Sequence, residues 1–236
     1  MIPVEKKGII FEKLVDYCKA DITLSEFTRI YKNHCNLHLK KAFEDIVNYG
    51  RFVDFRTVLD AMLLFPDQNF DSFQVGQIES KKWLIQSMNK LRLKYEPDIL
   101  IVGGWHGVLY LMLSNYAYFK YTALTTDIDP DCTLIAEMFG CNAETQDMFE
   151  INYDKISQDF IINTSCEHIY LEKWTKLIPD GKIVALQSSD MEWDTHVDNV
   201  YSLDELINKA ALSEVWTTGV KSLSKNWHRW LLIGKK

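Results

Sequence analysis

The chain has 236 residues, 47% hydrophobic and 25% charged, the profile of a soluble globular protein with one large domain or a compact domain carrying an extension. Thirty-three acids against 26 bases give a formal charge of −7, which argues against a non-specific grip on a phosphate backbone. Five scattered cysteines (Cys18, Cys35, Cys132, Cys141, Cys166) form no C-x-x-C pair. The charged amino-terminal segment has no signal-peptide core, and no apolar run nears the ~18 residues a bilayer span needs, so a cytoplasmic chain without disulfides or membrane attachment is expected.

The pattern changes near Pro97. Before it, apolar residues recur at helical spacing over residues 8–20, 37–49, 53–65 and 77–94, with Thr23 and Ser25 as candidate caps of a further segment through Tyr31. Pro66-Asp67 breaks the series. After it, short apolar runs alternate with amphipathic stretches. Asp98–Val102 is a continuous apolar run ended by glycines, as a buried parallel strand should be. Val108–Tyr116 is expected to be a helix, Tyr121–Asp127 a strand, Thr133–Phe139 a helix and Cys141–Glu144 a short third strand. Phe160–Asn163 is expected as a fourth strand, followed by a helix through Leu177, and Lys182–Gln187 as a fifth. Ser213–Leu223 and Trp227–Ile233, joined by Ser224-Lys225-Asn226, read as a hairpin. The fold class expected is α/β: a doubly wound, mostly parallel sheet of seven strands ending in an antiparallel hairpin, plus an N-terminal helical extension.

Five segments in order resemble class I S-adenosylmethionine (SAM)-dependent methyltransferases over roughly residues 97–236. Ile99–Val102 followed by Gly103-Gly104-Trp105-His106-Gly107 is similar to that family's first strand and glycine-rich turn. Thr126-Asp127-Ile128-Asp129-Pro130 is similar to its acidic second-strand end, and Gln146-Asp147-Met148 to its adenine loop. Phe160–His168 resembles the end of its fourth strand, and Leu177–Leu186, with Pro179 and Gly181, its turn into the fifth. The terminal hairpin is typical of the same family. The resemblance implies a Rossmann-like domain over 96–236 that binds SAM, with residues 1–95 covering the acceptor site or forming an interface, to which a homodimer through the N-terminal helices is a candidate.

By that resemblance the cofactor would be held by Gly103, Gly104, Trp105, Gly107, Asp127, Ile128, Asp147, Met148 and Asn163, with Asp127 on the ribose. Gln77, Ser80 or Lys81 would meet the methionine end from a helix preceding the first strand. Ile101 stands where the family carries an acid in the first strand, so another group, with Glu79 as a candidate, must meet the ammonium. Methyl transfer from a sulfonium needs an in-line approach more than acid–base help, and a carboxylate or histidine only when the acceptor must lose a proton. Asn163, Glu167, His168 and, after the fifth strand, His196 are the candidates to face that acceptor.

No metal is expected. His34 and His38 share a helical face beside Cys35, but nothing completes a ligand set and no H-E-x-x-H occurs. The partner expected is a small or medium polar acceptor. A nucleic-acid acceptor is disfavoured because Asn163-Thr-Ser-Cys166 replaces the base-gripping N-P-P-Y. An NAD-dependent oxidoreductase would need glycine where Trp105 stands. A catalytically silent SAM-binding subunit is the alternative from another class.

Overall fold

The computed structural model describes residues 23, 53, 55–93, 95–222 and 227–236. The helices expected over 8–20 and 37–49, the His34–Cys35–His38 group and the loop Ser224-Lys225-Asn226 lie outside the described residues.

Among the described residues, two helices precede the sheet: α1 (Phe55–Leu64) and α2 (Val75–Lys90), separated by a 3-10 turn at Phe70–Phe73. That turn was not among the expected elements, although Asn69 caps it by accepting from the Asp71 N–H at 2.9 Å. There follow β1 (Asp98–Val102), α3 (Val108–Tyr116), β2 (Thr122–Asp127), α4 (Pro130–Met138), β3 (Ala143–Thr145), β4 (Phe160–Asn163) and α5 (Leu171–Thr175). β5 (Ile183–Ser189), α6 (Leu203–Ala210), β6 (Glu214–Ser222) and β7 (His228–Lys235) complete it. The sheet order is β3-β2-β1-β4-β5-β7-β6; the first five strands are parallel, and β7 runs antiparallel between β5 and β6.

The period of two along a strand divides the core. Ile99, Ile101, Ile162, Ala185, Leu231 and Ile233 point to one face, where α1, α2, α3 and α4 cover them with Val58, Met62, Ile78, Leu84, Met112 and Ile135. Leu100, Val102, Ile161, Val184, Leu186 and Leu232 point to the other, against Tyr153, Leu171, Trp174 and Leu206. Burial on both faces explains why these strands read as unbroken apolar runs rather than alternating ones. α1 and α2 thus share one buried cluster with the sheet.

Several bounds differ from expectation for visible reasons. α2 ends at Lys90 because Arg92 takes a left-handed φ of 48°, a helix-terminating conformation. α4 starts at Pro130, since Asp129 accepts from the Asp131 N–H at 2.9 Å and proline suits the first helical position. The helix expected through Leu177 divides into a 3-10 turn, Cys166–His168, and the short α5. The Ser165 N–H goes to Asn163 Oδ1 at 2.8 Å and the Leu171 N–H to Asp198 Oδ2 at 2.9 Å, so side chains take two donors there.

One polar pair fixes α2 on the sheet. Ser80 Oγ donates to Gln187 Oε1 at 3.0 Å and Gln187 Nε2 donates to the Ser80 carbonyl at 3.0 Å, both side chains being buried. Ser80→Ala strands a buried acceptor and should cost about 1–3 kcal/mol by urea denaturation. Combining it with Gln187→Leu should recover part of that loss, giving a favourable coupling energy. Additive losses would show that the pair does not act as a unit.

Candidate functional site

The turns after β1 and β4, with α2 and Arg229 of β7, line one cleft of about 470 Å³ including its mouth; Asp127, at the end of β2, lies behind the first of these turns rather than on the lining. Parallel strands leave their crevice at this end of the sheet, beside the point where chain order reverses between β1 and β4. Its floor is the turn after β1. Gly103 has φ +59° and Trp105 φ +53°, so Trp105 occupies a left-handed conformation that a bulky residue seldom adopts. The position noted in the sequence as lacking its glycine therefore keeps the glycine-like backbone with an indole attached. Gly104 is close-packed: its N–H donates to the Thr126 carbonyl at 2.9 Å, and a Cβ there would collide with Thr125 Oγ1. Gly107, at the start of α3, sits against Cys141 rather than in the cleft.

Asp127 ends β2 and secures the turn. Its Oδ2 accepts from the Trp105 N–H at 2.8 Å and its Oδ1 from the Asp129 N–H at 3.1 Å. Burial raises its pKa, while these N–H donors act to lower it. Ile128 beside it is 67% exposed. On the β3 side, Asp147 accepts from the Phe149 N–H at 2.8 Å, and Met148 reaches Asn163, whose Nδ2 lies 3.6 Å from its sulfur. Asn163 is wholly buried, and its Oδ1 is taken by the Ser165 N–H. It shapes the turn after β4, whose Thr164 and Ser165 line the cleft, without lining it itself.

His106 follows Trp105 and turns inward, buried, with Nδ1 2.9 Å from Ser72 Oγ and its ring 4.8 Å from Phe70. Burial lowers its pKa to about 3, so it stays a neutral imidazole. The 3-10 turn thus braces the glycine-rich turn from behind.

The far wall carries charge. Arg229 on β7 is buried; Nη1 donates to the Thr164 carbonyl at 3.0 Å and Nη2 lies 3.5 Å from Glu167 Oε1. Sequence reasoning missed Arg229, because one cation inside an apolar strand carries no motif. Its signal was only that a central strand rarely buries arginine without a partner. From α2, Lys81 Nζ donates to Gln77 Oε1 at 2.9 Å, and both line the cleft. Burial foremost, then the Arg229 charge, lowers the Lys81 pKa to about 7, with Glu167 opposing. Ser80 faces Gln187 instead of the cleft, and Glu79 pairs with Lys221 on β6 at 3.4 Å.

Glu167 and His168 line the cleft. His196 lies beside them, with the two imidazole centroids 4.5 Å apart and nearly perpendicular. Burial lowers the His168 pKa. The candidate residues thus fall into a glycine-turn group around Asp127, a lysine group on α2, and a Glu167–His168–His196 group across the mouth.

No protein-family model matches the chain, and no curated protein matches it. Solved structures do. The magnesium protoporphyrin IX methyltransferase of Synechocystis PCC 6803, with bound SAM, aligns over 100% of both chains at 12% identity and a TM-score of 0.54. A putative sarcosine dimethylglycine methyltransferase from Galdieria sulphuraria aligns over 68% of this chain and 86% of its own, at 13% identity and a TM-score of 0.52. The PH0226 protein of Pyrococcus horikoshii OT3 covers 70% of this chain and 96% of its own, at 12% identity and a TM-score of 0.51. The fold is that of SAM-dependent methyltransferases. Within this methyltransferase fold, the seven-stranded, mostly parallel sheet with its C-terminal antiparallel hairpin agrees with the architecture expected from the sequence, in which no strand order was specified. Among the described residues, no helix is long and apolar enough to cross a membrane.

Proposed function

We propose that the chain binds SAM on the Gly103–Trp105 turn and transfers its methyl group to a small or medium polar acceptor. The observation that carries this reading is Asp127 held at the end of β2 by the Trp105 N–H, next to a turn where Gly103 presents no side chain toward Met148 and Ser165. A carboxylate so placed accepts hydrogen bonds from ribose hydroxyls, and the bare turn admits the amino-acid end. Asp147 and Met148 would flank the base, and α2 lines the cleft with Gln77 and Lys81. The acceptor would enter beside Glu167, His168 and Arg229, a wall too polar for a purely apolar substrate. Asn163, buried under that wall, acts by positioning the turn. A thermal-shift comparison tests the reading: SAM and its demethylated product should raise the melting temperature, and NAD should not. Stabilisation by NAD alone would replace it.

Lys81 is the group we assign to the methionine carboxylate. In the free protein its pKa lies near 7, against 10.5 for an ordinary lysine, so it is largely neutral above neutrality. A bound carboxylate favours the ammonium, so binding should take up a proton, and affinity should be flat below pH 7 and fall by up to about tenfold per pH unit above it. Lys81→Arg, charged throughout, should flatten that dependence in calorimetric titrations; a wild-type affinity independent of pH from 7 to 9 would place the carboxylate elsewhere.

A further inference from the structure

We infer that Glu167, His168 and His196 form a binding site for a divalent transition-metal ion at the mouth of the cleft. One ligand atom from each lies within 4.8 Å of the others. Tetrahedral metal sites space nitrogen and oxygen ligands by about 3.4 Å, so a small closing movement suffices. Three further observations point to an ion rather than to chance proximity.

First, both imidazoles are set in the ligating tautomer. His168 Nδ1 lies 3.2 Å from the Thr195 carbonyl and His196 Nδ1 2.6 Å from the Met191 carbonyl. A carbonyl only accepts, so each Nδ1 carries the hydrogen and each Nε2 keeps a free lone pair, the second-sphere arrangement of metal-bound histidine. Second, Glu167 is 3% exposed, yet its Oε2 has no hydrogen-bond partner among the described residues. Arg229 touches only the other oxygen, loosely, at 3.5 Å. A buried carboxylate oxygen left unpaired is costly unless something positive completes it. Third, the two segments bearing the ligands are bound to each other, because the Glu167 carbonyl accepts from both the Val197 N–H at 2.9 Å and the Asp198 N–H at 3.1 Å.

The donor set is two nitrogens and one oxygen. It suits zinc, manganese, iron or cobalt, whereas magnesium and calcium favour all-oxygen shells. Three protein ligands leave coordination positions open, and Glu167 and His168 line the same cleft as Gly103 and Gly104. Resting on the methyl-transfer reading, the acceptor class is then a hydroxylated molecule. Its oxygen enters an open position and releases its proton to solvent; an O–CH₃ bond forms as the S–CH₃ bond breaks, leaving S-adenosylhomocysteine.

The test uses the full chain, stripped with EDTA, desalted and titrated calorimetrically with Zn²⁺ and, separately, Mn²⁺. One equivalent of at least one ion should bind, and His168→Gln and His196→Gln should each weaken binding by at least about tenfold, while His228→Gln leaves it unchanged. His196 is partly exposed, so its variant tests the site even if Glu167→Gln fails to fold. Visible bands of the Co²⁺-loaded protein should shift with acetohydroxamate, a bidentate oxygen probe. No binding of either ion to the parent chain, or binding untouched by both histidine substitutions, overturns the site; unshifted bands overturn its open positions. SAM affinity measured alongside separates the two proposals. SAM binding without metal binding removes this site alone, and metal binding without SAM removes the methyl-transfer reading and the acceptor class alone.

Discussion

Asp127→Ala should abolish SAM binding, lowering affinity by more than about 100-fold, equivalent to about 2.7 kcal/mol, and erasing any SAM-dependent rise in melting temperature. Two losses combine in this variant. The ribose hydroxyls lose their acceptor, and the N–H groups of Trp105 and Asp129, now held at 2.8 and 3.1 Å, lose theirs. The second loss acts on the free protein too, because an unfavourable left-handed Trp105 depends on that bond. A drop of about 1–3 kcal/mol in unfolding free energy should accompany the binding defect. Asp127→Asn separates the effects, since it keeps one oxygen for the turn while the ligand loses a charged acceptor. A folded Asp127→Asn protein that binds SAM as tightly as the parent would remove the nucleoside anchor from the proposal.

Gly104→Ala should be the most damaging single methyl added to the turn after β1. The new Cβ would overlap Thr125 Oγ1, with Thr125 Cβ at 3.3 Å and Ile101 Cγ2 at 3.6 Å behind it. Overpacking of this kind costs on the order of 1–3 kcal/mol and displaces the backbone, so the turn should lose both stability and ligand affinity. The remedy is specific. Thr125 Oγ1 has no hydrogen-bond partner among the described residues, so Thr125→Ala sacrifices no bond and removes the obstruction. Added to Gly104→Ala, it should restore most of the melting temperature in differential scanning calorimetry. Equal damage with and without Thr125→Ala would show that the turn fails for another reason.

How much of this could be read from the residues varies with the physics involved. Asp98–Val102 and Phe160–Asn163 were legible because strands buried on both faces need apolar side chains at every position, and their glycine and asparagine ends marked the boundaries. The antiparallel hairpin was legible from two β-rich runs at short separation. β3 was placed within two residues only, since a three-residue strand with one buried position carries almost no periodicity. α6 was overlooked, although Ser202 caps it by accepting from the Glu205 N–H and Leu206 and Ala210 share its buried side. Within the site, Asp127 and the turn were local patterns and could be named. The proximity of His168 to His196 could not, because it arises from the β4–β5 pairing and the clamp at the Glu167 carbonyl, contacts between residues far apart in the chain. Arg229 was hidden for the same reason, reaching Thr164 across 65 positions.

The place of β7 between β5 and β6 has a kinetic consequence. β5 must wait for a strand some forty positions downstream before its second edge is paired, while β6, nearer in sequence, ends outside it. Loop-closure entropy makes such delayed insertion slow. Because Arg229 travels on β7, its guanidinium reaches the Thr164 carbonyl at the cleft wall only once the terminal hairpin has docked on β5. Partly folded chains would therefore lack a competent pocket, and ligand would report on finished molecules alone.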